Sequence, residues 1–216
     1  MRPKLKPSHF HKLLTYLSDV ENKEEIVGYL SKVKETKPAE TSEKMDTTGD
    51  ENGAKKEETK LAVLPATPEV SLFLHLLAVI LLLDDKQVSE ALTASTSLLE
   101  RTKKLPNKTS VFPLSSKNFF YYSRCMELSG RSAEIRPTLL AAYKTATLKH
   151  DVEGQVTLLN LILRNYIHAN LIDQADKFLS KITLPEAGQI SNNQMARYLP
   201  NKKFFVRSKV KILGKK

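Results

Sequence analysis

The 216 residues carry a formal net charge of +10, no tryptophan, one cysteine and only 7 glycines. A chain of this length can bury a core of its own in one or two domains. The lone Cys125 excludes an internal disulfide framework and fits a reducing compartment. Scarce glycine, with no strand-like alternation bounded by hairpin signals, excludes an all-β architecture.

Met1 to Lys12 is basic and is followed by no apolar stretch with a small-residue cleavage site, so no secretory signal is expected. From Ser8 to Val33 the apolar residues fall into two short amphipathic helices, Phe10, Leu13, Leu14 and Leu17, then Ile26, Val27, Leu30 and Val33. These form an N-terminal unit over 1–35. The stretch 36–66 reads as a disordered charged linker: between Thr36 and Lys60, Met45 is the one apolar side chain of any size, too little to offset the entropy of ordering. An acidic interaction motif or phosphorylation at Thr47 or Thr48 is the functional reading of this stretch, and a solvated insert is the favoured one.

Thr67-Pro68-Glu69 is a helix start: a capping hydroxyl, proline at the first helical position, then an acid near the positive helix end. Val70 to Leu83 follows, almost wholly apolar. It falls short of the roughly 20 residues that cross a bilayer, carries His75 and stops at Asp84-Asp85, so it reads as a buried helix. Val88 opens its partner, with Leu92, Ser95, Leu98 and Leu99 on one face. Ser115 to Leu128 and Ala133 to Leu148 make a second pair around Gly130. Pro137 lies in the first turn of the later helix or marks its start. Cys125, beside Phe119-Phe120-Tyr121-Tyr122, reads as a small buried residue rather than a nucleophile. Asn107-Lys108-Thr109 matches a glycosylation acceptor that stays idle without secretion.

Asp151 then caps a helix whose Leu158, Leu159, Ile162, Leu163, Tyr166 and Ile167 recur at three- and four-residue steps, with Leu161 on a second side. Asn170 is its stop, since asparagine tolerates the left-handed conformation. The next helix sets Leu171, Ala175, Phe178, Leu179 and Ile182 on one face and ends by Pro185. That face and Tyr198 are the candidate protein-interaction residues. Ala91, Ala133 and Ala175 recur at about 42 residues, inside the range of helical repeats. The chain therefore reads as an all-α solenoid of TPR-like helical hairpins over 67–199. Pro200 is expected to end the last helix. An irregular basic tail over 200–216 follows, with Lys202, Lys203, Arg207, Lys209, Lys211, Lys215 and Lys216 and no acid. Most of the positive charge thus sits at one end, which argues against a phosphate footprint along the folded body.

Catalytic patterns are missing: there is no glycine-rich phosphate loop, HExxH, CxxC pair or GxSxG. His9 and His11 are two apart and diverge on a helix. His150 reads as a helix-end neighbour, and His75 and His168 as hydrogen-bonded packing residues. No catalytic residue, cofactor, metal or small-molecule substrate is expected.

Particular residues carry a resemblance. Thr145 to Asp151, Gly154-Gln155, Thr157 to Leu161 and Leu163 to Tyr166 are similar to the signature stretch of the 26S proteasome non-ATPase regulatory subunit 3 family. Asp173-Gln174-Ala175, Asn192-Asn193, Ala196 to Leu199, Pro68-Glu69-Val70, Leu76 to Ile80 and Met45-Asp46-Thr47 extend it, mainly over Pro65 to Leu199. The resemblance implies a non-catalytic scaffold of the regulatory particle lid, supporting ubiquitin-dependent degradation in cytoplasm and nucleus. Its partners would be other lid subunits, with no membrane or nucleic-acid partner. It also implies a winged-helix PCI module after the solenoid. In its place stands the basic tail, so the chain reads as a truncated form whose tail is foreign to the fold and whose last hairpin lacks its next repeat. Two alternatives remain open: a nucleic-acid or anionic-surface binder acting through the tail, and a scaffold of another PCI-containing complex.

Overall fold

A computed structural model describes residues 10, 13–14, 17–18, 23–32, 64–65, 67–105, 109–182, 184–185 and 187–213. The expected linker between residues 36 and 63, with Thr47 and Thr48, lies outside them, as do His9, His11, Val33, Asn107 and Lys108. Eight α-helices of eight or more residues are described: α1 (Lys23–Lys32), α2 (Pro68–Asp84), α3 (Val88–Lys104), α4 (Phe112–Leu128), α5 (Arg136–Leu148), α6 (Val152–His168), α7 (Ile172–Leu179) and α8 (Asn192–Leu213); Phe10, Leu13 and Leu14 are also helical. Two residues of extended chain, β1 (Leu17–Ser18), pair in parallel with β2 (Leu64–Pro65). Leu17 is therefore extended rather than helical, and the stretch expected to be a free linker ends in a backbone pair before residue 66.

The helices pack in two rows. α2, α4, α6 and α8 lie side by side in one row, while α3 packs on α2 and α4, α5 on α6, and α7 on α6 and α8. α2 needs an apolar surface nearly all round because it is covered from two sides. Leu72, Leu76, Val79 and Leu82 join a core with α3 and α4. Leu74, Ala78 and Leu81 meet Phe10, Leu14 and Ile26 of the N-terminal unit. Thr67 Oγ1 accepts the Val70 amide at 3.4 Å, so the start signal acts as read. His75 is buried, its Nδ1 2.8 Å from the Ser71 carbonyl. His168 differs from expectation: it is exposed in the last turn of α6.

Three links share one geometry. Between α2 and α3, α5 and α6, and α6 and α7 the middle residue is left-handed: Lys86 (φ 63°), His150 (φ 54°) and Asn170 (φ 54°). In each, the following amide returns to the preceding helix, Gln87 to the Leu82 carbonyl, Asp151 to Ala146 and Leu171 to Tyr166, all at 3.0 Å. That same residue then stands at the N-cap position of the next helix, where only Asp151 adds a side-chain cap, so each hairpin turns within three residues. Asparagine tolerates this backbone; lysine and histidine are strained in it. His150→Gly and Lys86→Gly are each expected to raise stability in urea titration by about 0.5–1 kcal/mol, glycine's greater unfolded-state freedom offsetting part of the relief.

The alanine periodicity holds at two of its three positions. Ala91 and Ala175 are the fourth residues of α3 and α7, both fully buried. Ala133 is exposed and precedes α5, where the equivalent buried position is Leu139. The longer link from α4 shifts the register, and Pro137 sits in the first turn of α5.

The tail departs most from expectation. Helix α8 runs through Pro200 to Leu213. Proline removes one helical hydrogen bond and costs about 3 kcal/mol in a helix interior. Pro200 and Ala196, whose carbonyl loses that bond, are both exposed, so water can serve the carbonyl. Tyr198 and Phe205, one on each side of the proline, are buried in the main core and offset the cost.

Candidate protein-interaction surfaces

Helix α6 is the hub of the C-terminal half. Leu158, Leu159, Ile162 and Leu163 fill its core faces. Its polar residues reach three different neighbours, α4, α5 with the loop before it, and α8. Arg164 Nε and Nη2 donate to the two carboxylate oxygens of Glu127 on α4, at 2.7 and 3.1 Å. Asn165 donates to the Ser132 carbonyl and accepts from Arg136 Nε at 2.9 Å, fixing the start of α5. Asn160 donates to the Gln194 backbone carbonyl and side-chain oxygen, and Gln194 Nε2 donates to Thr157 Oγ1 at 2.7 Å, tying down α8. Directed polar contacts of this kind fix the angles between hairpins, which apolar packing alone leaves looser.

Asp151 starts α6. Its Oδ1 accepts the Gly154 amide at 2.9 Å, and the residue is 8% exposed. A Cβ at position 154 would stand 2.1 Å from Asp151 Oδ2, so glycine is required for the carboxylate to fold back. Burial pushes the Asp151 carboxyl pKa up, opposed by the Gly154 amide and by Lys149. Asp151→Ala is expected to cost about 1–2 kcal/mol through loss of the cap, whereas asparagine caps equally well. Folding raises this pKa above its unfolded value, so the group's pH-dependent contribution is full below the unfolded pKa and is lost as pH rises through the folded one. The stability of Asp151→Asn relative to the parent chain should therefore rise as pH increases across the carboxyl range, which thermal melts at several pH values would read.

The structure brings all six predicted interaction residues together, but against this chain itself. Ala175 and Tyr198 are buried in the main core; Leu171, Phe178, Leu179 and Ile182 are half-buried against it. Phe178 meets Tyr143 and Tyr166 edge to face at 5.7 and 6.0 Å between ring centres. Helix α8 covers this side of the last hairpin, in the place where a missing repeat was expected. Arg197 of α8 lies over the Phe120 ring at 5.1 Å, so one of the helix's cations is spent on internal packing.

Among the described residues a concave surface lies elsewhere. α3 and α5 are not a packed pair, and between them runs a cleft of about 530 Å³ floored by α4 and α6. Phe112, Phe119 and Leu158 line its floor; Thr138, Ala141 and Thr145 form the α5 wall; Lys103 and Lys149 stand at the ends of α3 and α5. The small residues of α5 recur at helical spacing, a weaker signal in the sequence than the bulkier apolar face of α7. Among the described residues no group of three or more His, Cys, Asp or Glu is placed to hold a metal. Cys125 is buried and burial pushes its thiol pKa up, which disfavours the reactive thiolate. No described helix is long and apolar enough to cross a membrane.

The profile of the family described as PSMD3-like, N-terminal TPR repeats, matches residues 1–206. The chain belongs to this family. Its helical hairpins are the repeats which that description names, and the match runs past Pro200 to include the buried Phe205. Among curated relatives, the 26S proteasome non-ATPase regulatory subunit 3 of Dictyostelium discoideum is 47% identical over 130 residues, 60% of this chain and 25% of the relative. The probable subunit 3 of Nicotiana tabacum is 49% identical over 132 residues, 61% of this chain and 26% of the relative. That of Drosophila melanogaster is 38% identical over 131 residues, 61% and 26% respectively. The chain thus spans about a quarter of the length of the curated relatives it matches.

Proposed function

We propose that this chain serves as a non-catalytic scaffold segment of the proteasome regulatory particle lid, contacting other lid subunits in cytoplasm and nucleus and supporting ubiquitin-dependent degradation. The observation that carries this reading is the family match over residues 1–206, with relatives named as regulatory subunits. A stack of short-linked hairpins locked by polar contacts at α6 suits a rigid spacer, since each repeat contacts only its neighbours and the surface is extended.

Affinity purification of the tagged chain followed by mass spectrometry tests it. Recovery of regulatory-particle subunits is expected; their absence, while a full-length relative recovers them under the same conditions, would overturn it. The second reading draws on α8, which carries Arg197, Lys202, Lys203, Arg207, Lys209 and Lys211 and no acid. Binding to nonspecific RNA that weakens steeply with salt, and vanishes when Lys202, Lys203 and Arg207 become glutamate, would favour it instead.

A further inference from the structure

We propose that the cleft between α3 and α5 is a docking groove for a short, mainly apolar peptide segment of a partner protein that carries an acidic residue at one end. The inference rests on the scaffold reading and supplies its contact site. At about 530 Å³ the cleft falls within the size range of functional ligand sites. Its floor of Phe112, Phe119 and Leu158 suits apolar side chains, and the small residues on the α5 wall allow a backbone to approach closely.

Charge sets the polarity. Lys103 and Lys149 line the cleft and are exposed, each at the C-terminal end of its helix. Asp151 is the one acid among the described lining residues, and its Oδ1 already accepts the Gly154 amide. The groove therefore offers two exposed lysines at one end of an apolar trough, Lys149 being the one whose charge already acts on Asp151. Two lysines are too few to follow a phosphate backbone, where binding grows with the number of neutralised phosphates. A concave trough also presents no flat apolar face to a bilayer. A peptide carboxylate beside apolar residues matches what is present.

Selection of a random twelve-residue phage-displayed library on the whole chain is the test. Enriched peptides should combine Leu, Phe or Met with Asp or Glu at one end. Measured by fluorescence anisotropy, their affinity should fall about fivefold in a Lys103→Glu, Lys149→Glu double variant, as expected for losing two exposed charge pairs. Binding should vanish in Ala141→Phe, which fills the trough from an exposed position on its wall. Melting curves matching the parent would confirm that both variants fold, and the lysine variant alone decides the matter if Ala141→Phe does not. Enriched peptides without acidic residues, no enrichment at all, or affinities unmoved by the lysine changes would overturn the groove. Equal recovery of regulatory-particle subunits by the Ala141→Phe chain would overturn the groove while leaving the scaffold reading intact.

Discussion

Phe205→Ala is expected to destabilise the chain by about 3–5 kcal/mol, the usual cost of emptying a buried phenylalanine site. Phe205 is 3% exposed and belongs to the same core as Leu159, Ile162 and Tyr166. Val206, its neighbour, is 55% exposed. Val206→Ala should shift stability by no more than about 0.5 kcal/mol, as surface changes do. Against a total stability of about 5–15 kcal/mol for a domain, the first change would leave a marginal fold and the second an intact one. Urea denaturation followed by circular dichroism separates them, and equal midpoints for the two variants would mean that the basic segment lies outside the fold. The expected result follows from α8 taking the position of a next repeat. Lys202, Lys203 and Arg207 are exposed, whereas Tyr198 and Phe205 are buried in the core shared with α6.

What could be read in advance was what depends on neighbours in sequence. Thr67, Asp151 and Asn170 act locally, through their own side chains and backbone, and each does what its chemistry predicts. The two-sided apolarity of α6 likewise announced a helix covered by several neighbours. Pro200 failed for the opposite reason. The local rule says stop, and a tertiary gain from Tyr198 and Phe205 on either side of it outweighs the rule. The face of α7 was legible as apolar, but not what covers it, because an amphipathic face looks the same whether its partner is another protein or the next helix. The cleft was harder still. Its walls come from α3 and α5, separated by the whole of α4, and a gap is defined by a contact that is not made. The polar residues Thr157, Asn160, Arg164 and Asn165 drew notice by resemblance alone; in the structure each bridges α6 to another element, which gives that resemblance a physical basis.

Asn165→Ala is the second change with a large expected effect, about 2–4 kcal/mol. Asn165 is 5% exposed. Its amide nitrogen donates to the Ser132 carbonyl and its oxygen accepts from Arg136 Nε, so alanine strands a carbonyl and a charged donor together. An unsatisfied buried group costs about 1–3 kcal/mol, more when charged. Arg136 also lies 5.6 Å from the centre of the Tyr166 ring, so its removal loses that contact as well. In a double-mutant cycle, Asn165→Ala and Arg136→Ala should therefore couple by about 1–3 kcal/mol, the joint loss being smaller than the sum. Strict additivity in denaturant melts would show that the pair does not interact. The consequence reaches the cleft. α5 packs on α6 but not on α3, so its position depends on α6, on the Tyr143–Phe178 contact with α7 and on the anchor at its own first turn. Loosening that anchor lets the α5 wall move relative to α3. Peptide affinity in the groove should then fall in Asn165→Ala at temperatures where circular dichroism still reports a folded chain, although residue 165 is not among the residues that line it.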